Sequence, residues 1–307
     1  MKVLIIGLGS IARKHISAIR SIYPDAQIDA LRSGASSHQM DGVNNVFSLP
    51  EPFDYDFIII SNPTSCHAST IDMVANSRIP LFIEKPLFSN LDHKRLVDRI
   101  MLDKTITYVG CNLRFLDSLV FLNEKLKTDS SLRVNEINAY CGSFLPEWRK
   151  SGDFRNHYSV NPEAGGGVHL DLIHEIDYLV WLFGLPLFSK GLCRNNSSLD
   201  IEAFDYANYC LIYESFVASV ILDYYRRDAK RTLEIVFNDS TWTVNLLTNR
   251  ITDSSDKIIF ESDQKISDTY LQQMKYFIDG IKNNSQPQNN IFKAFQILKI
   301  ALDYERS

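Results

Sequence analysis

The sequence predicts an α/β Rossmann domain, a doubly wound parallel sheet, followed by an α+β domain with a large, open, mainly antiparallel sheet. Three observations predict this. A short apolar strand, Val3 to Ile6, runs directly into Gly7-Leu8-Gly9-Ser10-Ile11-Ala12. Apolar runs at 28–31, 57–60, 81–83 and 106–109 follow, separated by stretches long enough for helices. That rhythm belongs to right-handed βαβ units on a parallel sheet. After about residue 115 the pattern changes to alternating strands. The expected domains are residues 1–115, which carry the nucleotide-binding motif, and 116–307.

Each element has a local reason. Val3 to Ile6 is wholly apolar, as a parallel strand covered on both faces should be. Ile11, His15, Ala18 and Ile22 recur at helical spacing, and Pro24 ends that helix. The strand at 57–60 stops at Ser61-Asn62-Pro63, and the strand at 81–83 stops at Glu84-Lys85-Pro86. In the second domain the pattern predicts a helix near 116–127, a half-exposed strand at 134–141 and an irregular stretch from Gly142 to Gly167. One strongly apolar helix is expected from Leu170 to Phe183, ended by Gly184 and Pro186. Strands are expected at 207–213, 216–223, 233–237, 241–246 and 258–260, with turn residues at Glu214-Ser215 and Asn238-Asp239. Two amphipathic helices close the chain, separated by the polar run from Asn283 to Asn290.

Composition narrows the function classes. At 307 residues, 45% hydrophobic and 22% charged, the chain suits about two folded domains rather than disorder. The net charge of −5, without a basic run, argues against a nucleic-acid surface, which needs clustered positive charge. Tyr224-Tyr225-Arg226-Arg227 reads as an exposed strand end. Five dispersed cysteines without a CxxC pair indicate neither a disulfide framework nor a zinc site, and point to reduced thiols in a cytoplasmic protein. No apolar run approaches the ~18 residues of a membrane span. The apolar N-terminus reads as a buried strand rather than a signal peptide.

The string from Gly7 to Ala12 is GxGxxA in strand–turn–helix context. The first glycine permits the turn, the second lets backbone approach a pyrophosphate, and the small third residue lets helix pack on strand. Gly7, Gly9, Ser10, Ile11 and Ala12 are therefore candidate cofactor residues, with phosphate at the helix N-terminus. The second strand runs Asp29-Ala30-Leu31-Arg32-Ser33, so its end carries Arg32 and Ser33 rather than an acid. A guanidinium pairs with phosphate in bidentate fashion, which favours NADP(H) over NAD(H). The alternative leaves Arg32 on the surface and gives the ribose to Asp29, one position of the pleat earlier than expected.

These pieces, together with Glu84-Lys85-Pro86, Ser61-Asn62-Pro63-Thr64-Ser65-Cys66-His67 and Gly165-Gly166-Gly167 followed by Asp171, His174 and Asp177, resemble the glucose–fructose oxidoreductase / inositol 2-dehydrogenase (Gfo/Idh/MocA) family along nearly the whole chain. The resemblance implies a nicotinamide-dependent oxidoreductase acting on a sugar or sugar derivative. It also implies a homodimer or homotetramer formed through the C-terminal sheet. It adds Ser61, Asn62, Pro63, His67, Glu84, Lys85 and Asn112 to the cofactor side. It places Lys85, Asp171 and His174 around the reacting carbon, His174 as general acid/base or hydroxyl ligand. Two residues separate Asp171 from His174 here, where the family has three; on one helix, i and i+3 still share a face. Asp177 is expected to be structural or a partner of His174, and His169 is a weaker candidate.

The segment from Leu145 to Ser159 is rich in aromatic and basic groups for a loop. Trp148 and Tyr158 suit a sugar face; Arg149 and Arg155 suit a carboxylate or phosphate. The segment resembles a subgroup associated with surface-polysaccharide sugars, which implies an anionic or nucleotide-linked substrate. An interdomain or dimer-contact loop is the other reading. Arg114, within Asn112-Leu113-Arg114-Phe115, is expected near the substrate, tying the domains together. Metal catalysis is not expected, because His174-Glu175-Ile176-Asp177 lacks HExxH spacing. Two other functions remain open: internal redox with glycoside cleavage or elimination, and a non-catalytic cofactor-binding regulator.

Overall fold

The computed structural model describes residues 1–34, 39–50, 52–148 and 153–306. The chain divides into two units: Met1–Cys111 with Tyr270–Gln296, and Asn112–Thr269 with Ile297–Ser307.

In the first unit, β1 (Lys2–Ile6), β2 (Gln27–Leu31), β3 (Asn44–Val46), β4 (Phe57–Ile60), β5 (Leu81–Ile83) and β6 (Thr107–Val109) form one sheet. Its order is β3-β2-β1-β4-β5-β6 and every pairing is parallel. The order reverses between β1 and β4, and in such sheets ligands bind outside the carboxyl ends of the strands at that reversal. β4 and β5 are buried at every position, which explains their unbroken apolar sequence. Helix α1 (Ser10–Ile22) buries Ala12, His15, Ile16, Ala18 and Ile19, the face that the helical spacing marks. Helices α2 (His67–Val74) and α3 (Lys94–Leu102) complete the alternation.

The second unit begins with α4 (Asp117–Thr128) and β7 (Val134–Gly142). Short turns of 3-10 helix occupy much of 145–164. The apolar stretch expected as one helix is two: α5 (Val168–Asp171) and α6 (His174–Phe183). Leu172, at φ −102° and ψ 29°, breaks the ladder between them. Leu172 and Ile173 are buried on both sides of the break, so the apolar pattern carries no trace of it.

Strands β8 (Phe188–Arg194), β9 (Tyr206–Ile212), β10 (Val217–Asp223), β11 (Lys230–Phe237), β12 (Thr241–Asn245), β13 (Arg250–Asp253), β14 (Ile258–Glu261) and β15 (Tyr304–Arg306) follow. With β7 they make a nine-stranded sheet in the order β14-β13-β12-β11-β7-β10-β9-β8-β15. It is antiparallel except at β7–β10 and β8–β15. Alternate residues such as Leu233, Ile235 and Phe237 are buried, giving one core face. Arg231 of β11 donates Nε and Nη2 to Glu175 of α6 at 2.6 and 3.0 Å, fixing the helix on that face.

The reading of Tyr224 as part of an exposed strand end is corrected: Tyr224 has no exposed surface. Strands β3, β8, β13 and β15 are additions to the sequence reading. In β8 the pattern is interrupted by Gly191, which is required because a Cβ there would lie 2.5 Å from the Tyr209 ring.

Helix α7 (Thr269–Lys282) and helix α8 (Ile291–Ala301) end the fold. Residues 270–296 pack with the first unit. Phe277 meets Phe57 and Phe82 edge-on, with centroids 5.4 and 5.5 Å apart. The polar run between the helices covers the open edge of β6. Val109 N–H donates to the Asn289 carbonyl at 2.9 Å, and Asn289 Nδ2 donates to the Val109 carbonyl at 2.7 Å. An edge strand so capped cannot pair with another chain.

Candidate active site

In the first unit, the loops after β1 and β4 lie against each other. Gly7 has φ +97°, and a Cβ there would sit 2.3 Å from the Asn62 nitrogen. Ser61 Oγ donates to the Gly7 carbonyl at 2.7 Å. Gly7 is thus demanded twice, by backbone conformation and by close approach. Gly9 differs: it is the N-cap of α1, makes no side-chain cap, and a Cβ on it would meet nothing within 4 Å. The first turn of α1 carries no acid, so its N–H groups keep their capacity for an anion. Ser10 is exposed, Ile11 half-buried and Ala12 fully enclosed. An open, uncapped helix start after a glycine fits a dinucleotide pyrophosphate.

Asp29 is already engaged, accepting from Tyr55 Oη at 2.6 Å and Asn44 Nδ2 at 3.0 Å. Burial and this carboxylate hold the Tyr55 phenol well above its usual range. Arg32 follows the last residue of β2. Its backbone N–H donates to Val46, while its guanidinium Nη1 has no hydrogen-bond partner among the described residues. Ser33 beside it is exposed.

The residues after β4 and β5 form a second layer. Asn62 Nδ2 donates to Thr70 Oγ1 at 2.7 Å, and Pro63 is exposed at the turn that leads into α2. His67 is 1% exposed and points inward; its ring nitrogens lie 3.0 to 3.1 Å from the carbonyls of Asn62, Pro86 and Leu87. Burial lowers its proton affinity, against the pull of those carbonyls and of Glu84. Glu84 is buried too, with Oε1 2.6 Å from His15 Nε2. Both residues, expected on the cofactor side, brace the loop that carries Lys85. Lys85 is half-buried at the carboxyl end of β5, joined to Pro86 by a cis peptide bond.

In the second unit the central group is Asp171, 4% exposed. Tyr158 Oη donates to Oδ1 at 2.8 Å and Tyr224 Oη to Oδ2 at 2.5 Å. Burial, then the Asp171 charge, raises the Tyr224 phenol far above its usual range, so it remains a donor. Trp148 stands edge-on to Tyr224 at 5.3 Å and donates Nε1 to Ser143 Oγ at 2.9 Å. Tyr158 and Trp148 keep 40% and 38% exposure, so this group reaches the surface. The glycine triplet builds it: a Cβ on Gly166 would lie 2.2 Å from the Tyr158 carbonyl, and Gly167 starts α5 at φ +124°.

His174 is half-buried as the first residue of α6. The helix break puts it and Asp171 on separate helices, so the shared-face argument for the pair does not hold. Asp177 takes Arg114 in a bidentate pair, Nε at 2.8 Å and Nη2 at 2.6 Å, with both side chains buried. The expected substrate and domain-tying role of Arg114 thus meets an ion pair inside the second unit. Asn112, expected near the cofactor, is 5% exposed and donates Nδ2 to Thr269 Oγ1 at 2.8 Å. Arg155 extends into solvent with Asp153 3.7 Å away. Arg149 lies outside the described residues. Sequence reasoning missed Tyr224, read as an exposed strand end because Arg226 and Arg227 follow it, and His15, which recurs with Ile11 and Ala18 and looks like ordinary core. Among the described residues no cluster of three or more His, Cys, Asp or Glu could hold a metal, and no helix is long and apolar enough to cross a membrane.

The parallel sheet, its reversal point and the glycine-led helix start define a dinucleotide-binding protein. Comparison with known proteins agrees: residues 1–110 match the model of an oxidoreductase family with an NAD-binding Rossmann fold, GFO_IDH_MocA. Over those residues the chain is similar to the Gfo/Idh/MocA family. It is 28% identical to an uncharacterised oxidoreductase of Bacillus subtilis, YrbE, over 71% of this chain but only 65% of that protein. It is 23% identical to the myo-inositol 2-dehydrogenase of Thermotoga maritima, over 94% of this chain and 90% of the relative. Its fold matches the UDP-N-acetylglucosamine 3-dehydrogenase of Acidithiobacillus ferrooxidans with a TM-score of 0.79, at 16% identity, covering 99% and 96% of the two chains.

Proposed function

We propose that this protein is a nicotinamide-dependent dehydrogenase or reductase that interconverts a hydroxyl and a keto group on a sugar, with an anionic or nucleotide-linked sugar favoured. The observation that carries the reading is the uncapped start of α1 behind Gly7 and Gly9, in the same unit as a lysine at the carboxyl end of β5. The relatives named for inositol and for UDP-N-acetylglucosamine support a polyhydroxylated substrate.

When bound, the nicotinamide takes or delivers the hydride. The protein's own task is the hydroxyl proton and the placement of the substrate. Lys85 holds or moves that proton, and His174 is the second acid/base or hydroxyl ligand. Asp171, oriented by two phenols, accepts a substrate hydroxyl, and Trp148 and Tyr158 offer faces for the ring. NADP(H) is favoured: Asp29 is spent on Tyr55 and Asn44, and Arg32 keeps a guanidinium nitrogen without a partner among the described residues.

The test is titration with NADPH and NADH by fluorescence, then turnover on myo-inositol, UDP-N-acetylglucosamine and sugar acids. Tighter NADPH binding, weakened by Arg32→Ala, supports the cofactor assignment; equal or tighter NADH binding removes it. Loss of turnover in Lys85→Ala with binding intact supports the chemistry. A bound cofactor with no net turnover on any substrate would favour internal redox or a regulatory role.

A further inference from the structure

Two buried histidines meet the Lys85 segment from different helices. His15, fully enclosed on α1, sets Nε2 2.6 Å from Glu84 Oε1. Its ring lies edge-on to Phe82 and Tyr270, with centroids 4.6 and 6.2 Å away. The other Glu84 oxygen accepts the Lys85 backbone N–H at 3.3 Å. From the start of α2, His67 reaches the carbonyls of Pro86 and Leu87, both at 3.1 Å. Contacts at residues 84, 86 and 87 thus fix the chain on both sides of Lys85.

The same two histidines touch the cofactor cradle. The helix that carries His15 is the one whose first turn is open to phosphate. The second ring nitrogen of His67 lies 3.0 Å from the Asn62 carbonyl, in the loop against which Gly7 packs. Burial pushes the Glu84 carboxyl up, but the hydrogen bond and charge of His15, with Lys85 and His67, outweigh it, and the net direction is down. Glu84 therefore stays a carboxylate, and His15 is its donor. A pair of neutral core residues would hold the fold equally well and would need no ionised group there.

We propose that His15 and His67 are positioning residues that clamp Lys85 and couple its placement to occupancy of the phosphate cradle. The proposal rests on the assignment of Lys85 and of a nicotinamide cofactor made above. Its test uses the full chain with NADPH and NADH as probes. His15→Phe keeps an aromatic ring and removes the donor; His15→Gln keeps an N–H that reaches Glu84. Three readouts apply: cofactor affinity by fluorescence, the rate of Lys85 acetylation at fixed pH by competitive labelling with mass spectrometry, and melting temperature.

His15→Phe should weaken cofactor binding by about fivefold or more. It should also raise the Lys85 acetylation rate by about twofold or more, because the segment that carries Lys85 loses its hold on α1. His15→Gln should return both to wild type. If His15→Phe does not fold, His15→Asn, too short to reach Glu84, replaces it in the comparison. Unchanged affinity and an unchanged Lys85 acetylation rate in the donor-less variant overturn the clamp. Wild-type protein that binds neither nucleotide overturns instead the functional reading beneath it.

Discussion

Tyr224 donates its hydroxyl hydrogen bond to Asp171 across 2.5 Å, and no part of Tyr224 is exposed. Tyr158 holds the other oxygen but is 40% exposed. Removing a donor from a buried carboxylate costs more than removing one that water can replace. Tyr224→Phe should lower stability by about 1–3 kcal/mol in urea denaturation, and Tyr158→Phe by about 1 kcal/mol or less. Turnover should fall in both variants, because each removes one of the two phenols that orient Asp171.

The two glycines of the cofactor loop should separate by stability. A Cβ at Gly7 collides with the Asn62 backbone, whereas one at Gly9 meets open space. Gly7→Ala should therefore lower both the melting temperature and nucleotide affinity. Gly9→Ala should leave melting within a degree or two and still weaken NADPH binding by about tenfold, because the methyl occupies the space the phosphate needs. Equal effects of the two variants on melting would contradict this division.

Arg114 and Asp177 form a buried bidentate pair, and truncating the carboxylate takes the counter-charge from a buried guanidinium. Asp177→Ala should cost about 3–5 kcal/mol by chemical denaturation. The double variant Arg114→Met with Asp177→Leu should recover most of that loss.

Acid should destabilise the fold through His67 before it reaches the carboxylates. The proton affinity of His67 is lowered in the folded chain, so the unfolded chain takes up a proton first as pH falls below the ordinary value of 6.5. Stability is then complete above pH 6.5 and declines below it, by at most about 1.4 kcal/mol per pH unit from this group. Glu84 adds to the loss only at lower pH, because its folded value lies below the ordinary 4.5. Denaturation of wild type and His67→Gln between pH 7 and 5 should show a shallower slope in the variant.

Much of the fold was legible because it follows from short-range periodicity. Val3 to Ile6 and Phe57 to Ile60 are apolar at every position because both faces are covered, and α1 shows its buried face at a spacing of three and four. The break at Leu172 was not legible, because its residues are apolar and buried on either side of it. The return of residues 270–296 to the first unit was not legible either, since no local pattern says which sheet Phe277 will cover. Tyr224 was misread for a related reason: its neighbours in sequence are arginines, while its neighbours in space are Asp171 and Trp148.

The sequence by itself determined the parallel nucleotide-binding sheet, the glycine-led helix start and the change to alternating strands, because each is written within a dozen consecutive residues. Only the tertiary structure decided what each polar side chain does. It gave His67 to three carbonyls, Glu84 to His15, Arg114 to Asp177, and two tyrosines to Asp171. The reason is physical: a buried polar group must find its partner wherever the packed chain brings one, and that partner can lie a hundred residues away in sequence.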